Sequence, residues 1–370
     1  MRITNSLFFA FLLSLGWTSC SEEPSKAEAE AKTTEAQTDS LRYPEEVHLR
    51  NVRQLTFGGN NAEAYFSFDG QKLSFQSDNP AWGNQCDQIY YMPVTGYQDE
   101  QPPRISTGKG RTTCAYFMPG DTSIIFASTH LDADTCPQAP HMSNGKYVWG
   151  VFPSYDIFVA DLQGNIIKQL THEPGYDAEP TVSPDGKKIV FTSTRSGDLE
   201  LWTMDIDGSN LHQVTHELGY DGGAFFSPDS KKLVFRASRP KTEEEIKTYK
   251  ELLAQGLVQP TEMEIFVCNV DGSDMQQITK LGGANWAPFF HPSGKKILFS
   301  SNHESVGKGR PRFNIYTINL DGSGLERITY DSIFDAFIIF SPDGKKVAFS
   351  SNRHNGGGHD TNVFIADWVD

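Results

Sequence analysis

Residues 169–210 read QLTHEPGYDAEPTVSPDGKKIVFTSTRSGDLELWTMDIDGSN, and this stretch decides the fold. AEPTVS is a short strand. SPDGKK is a tight turn, because Pro presets φ and Gly accepts a positive φ. KKIVFTS is β-branched and aromatic, which predicts a buried strand. LELWTMD alternates with period two, DGS makes the next turn, and QLT supplies a fourth strand.

The unit recurs. QVTHELGYDGGAFFSPDSKKLVFRASRP starts at Gln213, QITKLGGANWAPFFHPSGKKILFSSN at Gln277 and RITYDSIFDAFIIFSPDGKKVAFSSNR at Arg327. Two degenerate copies start at Gln54 and Arg104. The repeated threonine is placed at Thr56, Thr107, Thr171, Thr215, Thr279 and Thr329, at intervals of 51, 64, 44, 64 and 50 residues. The shortest interval matches a four-stranded propeller blade of about 40–45 residues. The expected fold is therefore all-β, a six-bladed β-propeller of four-stranded blades. The last copy stops at its third strand, NVFIADW, and EVHLRNV before the first copy can complete it. The ring is expected to close with an N-terminal strand in the last blade, leaving short, protected edges. Residues 43–370 then form one domain.

Composition agrees. With 32 Gly, 20 Pro and 25 Phe in 370 residues, the chain is rich in turns and core-forming. A net charge of −15 argues against a nucleic-acid partner.

The SPDGKK turn, the Gln-Leu-Thr strand and the DGS turn resemble the propeller of TolB and its relatives, over about residues 49–368. The resemblance implies the fold. It does not bring a Tol–Pal role, because an α/β domain precedes that propeller in TolB, whereas residues 21–40 here read as a tether.

Residues 1–19 read as a secretion signal: Met1-Arg2, then Leu7 to Leu13, then small residues. The apolar run is too short to span a membrane, which takes about 20 residues. Cys20 resembles the acylated cysteine of a bacterial lipobox, with Trp17 where an aliphatic residue is usual. Residues 20–42 are read as the lipidated Cys and a disordered, Ala-, Glu- and Thr-rich tether. Cys20-Ser21-Glu22-Glu23 looks like an acidic surface-export tag. The expected location is the outer membrane, facing the periplasm or the surface, with the lipid as sole anchor. A monomer is expected.

Strand alternation puts the loop after strand two on one face, called the top. All the extra residues fall there, at 77–87, 130–155, 239–262, 303–313 and 354–361. One-sided elaboration marks a binding face. One insertion carries a helix: Thr242 caps it, Glu245 closes a capping box, Ile246, Tyr249 and Leu253 form its stripe, and Gly256 ends it. It reads as a packed lid or a gate over the central mouth.

Two rings of polar residues follow from the repeat. Asn61, Thr112, Asp177, Asp221, Asn285 and Asp335 stand before strand one; His130, Arg195, Arg239, His303 and Arg353 stand after strand two. They either tie neighbouring loops together or make a polar mouth for an anionic ligand or a cation. Residues that break the repeat symmetry are the sharper candidates: Glu63, Arg111, Glu179, Trp286, and Tyr147 with Trp149. Exposed Trp and Tyr beside polar groups suit sugar or peptide recognition; buried lid packing is the other reading.

Cys114 and Cys136 are the expected disulfide, with Cys86 as the competing partner; Cys268 reads as inert. His130, His303, His354 and His359 lie on top loops, but no paired metal-ligand spacing appears, and no G-x-S-x-G elbow exists. No cofactor is expected; a divalent cation at the channel mouth is the alternative. The function expected is a lipid-anchored, non-catalytic binding or scaffold module gripping an envelope protein, glycan or peptide by its top face. The alternative is a polysaccharide lyase or hydrolase in the channel mouth, as in some related propellers.

Overall fold

The computed structural model describes residues 39–138, 147–355 and 358–370. The signal, Cys20 and most of the tether lie outside the described residues. Asp39–Leu41 form a single 3-10 turn, and Leu41 packs on the apolar core of the last blade.

Six antiparallel sheets form the ring. Their innermost strands are Asn61–Phe66 in blade I, Thr112–Phe117 in II, Asp177–Val182 in III, Asp221–Phe226 in IV, Asn285–Phe290 in V and Asp335–Phe340 in VI. Each pairs with a second strand that is almost wholly buried. That strand carries Phe75, Phe126, Phe191, Phe235, Phe299 or Phe349 at one equivalent position, and none of the six is exposed. Each such burial contributes roughly 1.5–3 kcal/mol, and each of these phenylalanines sits in a buried apolar cluster of the propeller.

Blade VI closes as the sequence implies. Its third strand, Asn362–Trp368, takes Leu49–Gln54 as its outer neighbour, with Leu49 opposite Trp368 and Gln54 opposite Phe364. Among the described residues blade I shows no regular fourth strand; a single bridge between Tyr90 and Arg104 stands in for it.

The repeated threonine is a clasp. Its hydroxyl accepts the N–H of the second residue of strand three: Ile157 to Thr171, Leu201 to Thr215, Ile265 to Thr279, Ile315 to Thr329 and Val363 to Thr56, all at 2.8–2.9 Å. In blade II's predecessor the register moves by one residue. Ser106, not Thr107, accepts the Ile89 N–H at 2.9 Å and is buried. A hydroxyl is what the clasp needs, and Ser supplies it as well as Thr.

The helix forms as its capping box predicts. It spans Glu243–Leu253 (α1), with Thr242 and Glu245 each bonded to the other's backbone N–H. Tyr249 and Leu252 are its buried residues, so the stripe turns slightly from the predicted Ile246, Tyr249 and Leu253. Among the described residues no helix is long and apolar enough to cross a membrane.

Candidate functional site

Each innermost strand is interrupted at the same place. The ladder shifts register after its second residue in all six blades. The third residue takes a positive φ: Glu63 54°, Cys114 46°, Glu179 59°, Gly223 59°, Ala287 46° and Phe337 58°. These are β-bulges, which re-aim a side chain out of the ladder. Here they aim one residue per blade at the propeller axis.

The six bulge residues line a cavity of about 500 Å³ at the top of the channel. Its roof comes from two blades. Trp149–Gly150, in the blade II insertion, pairs antiparallel with Leu257–Val258, in the blade IV insertion just after α1. Trp149 packs 5.1 Å from Trp286, which stacks 4.3 Å from Phe313 and donates its indole N–H to the Pro260 carbonyl at 3.0 Å. Trp286 is thus buried in the roof, whereas Tyr147 is 59% exposed at the rim. α1 is a packed support: Tyr249 donates to Asp198 and sits among Val151, Tyr155 and Val258. The floor is aromatic. Tyr65 lies 5.6 Å from Tyr116 and from Phe225, and Phe225 lies 5.2 Å from Phe289, so the channel is plugged at mid-depth.

Charges in the cavity are asymmetric. Glu179 receives Arg236, the Thr192 hydroxyl at 2.7 Å, the Tyr220 hydroxyl at 3.1 Å and the Gly223 N–H at 2.9 Å. Burial opposes its ionisation, but Arg236 and these donors hold its carboxyl below the usual range. Arg236 crosses the space beside Gly223 and lies over the rings of Trp149 and Tyr220. A Cβ at Gly223 would fall 1.8 Å from its Nη1, which explains a glycine at this bulge. Arg111 sits 3.5 Å from Asp87. Among the described residues Glu63 forms no ion pair, and the charge of Arg236 only partly offsets its burial. Its Oε2 accepts the Tyr65 hydroxyl at 2.9 Å and the Cys114 thiol at 3.0 Å, and burial raises its carboxyl. Burial, reinforced by Glu63, pushes the Cys114 thiol well up.

The two polar rings are fastenings. Arg195 holds Asp177 at 2.7 Å, Arg239 holds Asp221, and Arg353 holds Asp335 at 3.1 Å and Glu46 at 2.8 Å. In two of the three blades where the first ring is neutral the second is His: His130 bonds Ser128 beside Thr112, and His303 bonds Ser301, which bonds Asn285. Asn61 bonds Asn362 at 3.2 Å. All six first-ring side chains are buried. Of both rings only Thr112 lines the cavity; the sharper candidates Glu63, Arg111, Glu179, Trp286, Tyr147 and Trp149 all do.

Where blades III and IV meet, one carboxylate too many is buried. Glu200, beside Asp221 and Thr215, is raised to about 8, and Asp221 to about 6, chiefly by burial. The folded chain therefore holds a proton that the unfolded chain releases above about pH 4.5. Stability contributed here is full below that pH and is lost as pH rises toward 8. Glu200→Gln is expected to flatten this slope: its Tm should match the parent near pH 5 and exceed it by roughly 2 °C or more at pH 9. Identical pH slopes for the two proteins in thermal unfolding would remove the assignment.

A family model described as the TolB beta-propeller domain matches residues 152–254 and 259–364. The chain belongs to the TolB beta-propeller domain family. Over 48 residues it is 38% identical to an uncharacterized protein of Agrobacterium fabrum, covering 13% of this chain and 16% of that one. Over 39 residues it is 44% identical to the Tol-Pal system protein TolB of Bordetella pertussis, covering 10% of this chain and 9% of that one. The matched stretches thus span less than a fifth of these curated relatives. Two solved structures share the fold. A protein of Agrobacterium tumefaciens assigned as a TolB superposes with a TM-score of 0.55 at 20% identity, covering 86% of this chain and 97% of that one. TolB from Acinetobacter baumannii gives 0.51 at 17% identity, covering 84% and 63%.

In this TolB-type propeller the disulfide differs from expectation. Cys86 pairs with Cys136, and Cys114 is free. The bulge turns Cys114 inward to Glu63, away from the loops, while Cys86 and Cys136 meet above the Gly110 carbonyl. Cys268 is buried, and burial pushes its thiol up to about 12. The top-loop histidines serve packing: His130 lies against Phe158, His303 against Tyr316 and His354 against Tyr43. Among the described residues no group of three or more His, Cys, Asp or Glu is placed to hold a metal ion.

Proposed function

We propose that the chain is an exported, lipid-anchored binding module that takes a segment of an envelope protein into the upper cavity. One observation carries this reading. Residues common to the blades are spent on fastening, whereas the residues that differ between blades converge on one aromatic cavity under a roof. Pockets of this kind, apolar with a few fixed polar groups, are the usual binding sites of folded domains. The Cys20 lipobox supports the anchor, and family membership supports a binding or scaffold role.

The test is crosslinking capture from the protein's own envelope, with the native protein against a Tyr147→Ala/Trp149→Ala variant. Asp177, Asp221 and Asp335 are unsuitable targets, because each is a buried partner of the arginine that fastens its blade, and its removal would perturb the fold. A protein captured by the native chain and at least tenfold less by the variant is the expected result. Equal capture by both would move the docking surface away from the cavity.

A further inference from the structure

Resting on the binding reading above, we propose that the upper cavity receives a lysine side chain of the bound segment, with its ammonium on Glu63. The cavity's two guanidinium groups are already matched: Arg236 by Glu179, Arg111 by Asp87. Glu63 is the carboxylate left over. Both of its donors reach Oε2, and among the described residues none donates to Oε1. Glu63 is half-buried and lines the cavity, so that second oxygen is open to a ligand.

The walls fit the same group. Trp149, Tyr155, Tyr176, Tyr220 and Trp286 line the space, and aromatic faces attract a cation within about 6 Å. An anion would meet Glu63, the one lining carboxylate without an ion-pair partner among the described residues. A guanidinium presents a planar fork that matches two oxygens, whereas an ammonium on an apolar stem is a compact charge that can meet a single open oxygen and leave its other donors to solvent. The stem can lie along the aromatic walls while the head reaches the carboxylate. The net charge of −15 favours approach of a basic segment over long range.

The probe is a capped Gly-Lys-Gly peptide, compared with the same peptide carrying uncharged norleucine for lysine. Binding to the full chain is read by calorimetry and by fluorescence of the cavity tryptophans. The lysine peptide is expected to bind saturably and at least tenfold more tightly than the norleucine peptide. Glu63→Gln, close in shape, is expected to remove that preference. In the native protein the lysine preference should also fade on acidification, as the raised Glu63 carboxyl takes up its proton. Equal binding of the two peptides by the native protein overturns the proposal, as does a lysine preference kept by Glu63→Gln. Either result leaves the binding reading standing if envelope capture still depends on Tyr147 and Trp149. No binding of either peptide, together with cavity-independent capture, ends both. Should Glu63→Gln fail to fold, the two peptides on the native protein decide alone.

Discussion

Arg353→Ala is expected to destabilise the propeller by about 3–5 kcal/mol, the range for breaking a buried pair by deleting one partner. Arg353 has no exposed surface. Its guanidinium donates to Glu46 through both terminal nitrogens, to Asp335 and to the Leu41 carbonyl, and it lies over the rings of Tyr43 and Phe349. Removing it leaves two carboxylates in a dry site, one brought by the N-terminal segment and one by blade VI. The N-terminal segment should then loosen first. Urea unfolding gives the cost, and hydrogen exchange at residues 43–54 gives the place. A control bounds the claim: Lys187→Ala, which breaks an exposed 3.4 Å pair with Asp185, should change stability by less than about 0.5 kcal/mol. An Arg353→Ala loss no larger than the control would refute the central role given to this site.

Cys86→Ser/Cys136→Ser should cost a similar amount. The bond closes a separation of 50 residues, for which the chain-entropy account gives about 4 kcal/mol. Part of the effect should appear in the roof. Cys136 fixes the blade II insertion that delivers Trp149, so ligand capture is expected to weaken with the bond. Reduction of the native protein should reproduce the loss in Tm, and Cys114→Ser should not. A Cys114→Ser variant that behaves like the double mutant would contradict the pairing.

The architecture was legible because its signals are local. The SPDGKK turn, the strand of Phe191 and the Thr171 clasp sit within one unit and recur, so each copy confirms the others. Closure was legible because EVHLRNV precedes the first repeat as an additional strand, which in the fold pairs with Asn362–Trp368. The cavity's contents were legible in part, for a related reason: on a repetitive scaffold, Glu63, Glu179 and Trp286 stand out as exceptions. What was hidden is whatever a single strand does not announce. The bulge at Cys114 carries no glycine signal, so nothing in the sequence shows that its thiol turns inward, and the disulfide forms instead with the competing partner Cys86. Trp149–Gly150 and Leu257–Val258 are two-residue strands without periodicity, and only the folded chain brings them into register. The repeat puts Thr107 in line with the other threonines, but the hydroxyl that meets the Ile89 N–H is that of Ser106, because the clasp is a chemical requirement, not a letter.

The pairing of Leu49–Gln54 with Asn362–Trp368 also fixes an order of events in time. Asn51 and Asp367, bonded in the finished ring, are 316 residues apart in the chain. Five blades can form while the polypeptide is still emerging, but the sixth has no third strand until residue 362 arrives. Until then, the second strand of blade VI offers an unpaired edge to any neighbouring chain. Such distant partners make for slow closure. The last step of maturation is therefore the docking of an early strand onto a late one, and the interval before it is when the molecule is most vulnerable to aggregation and proteolysis.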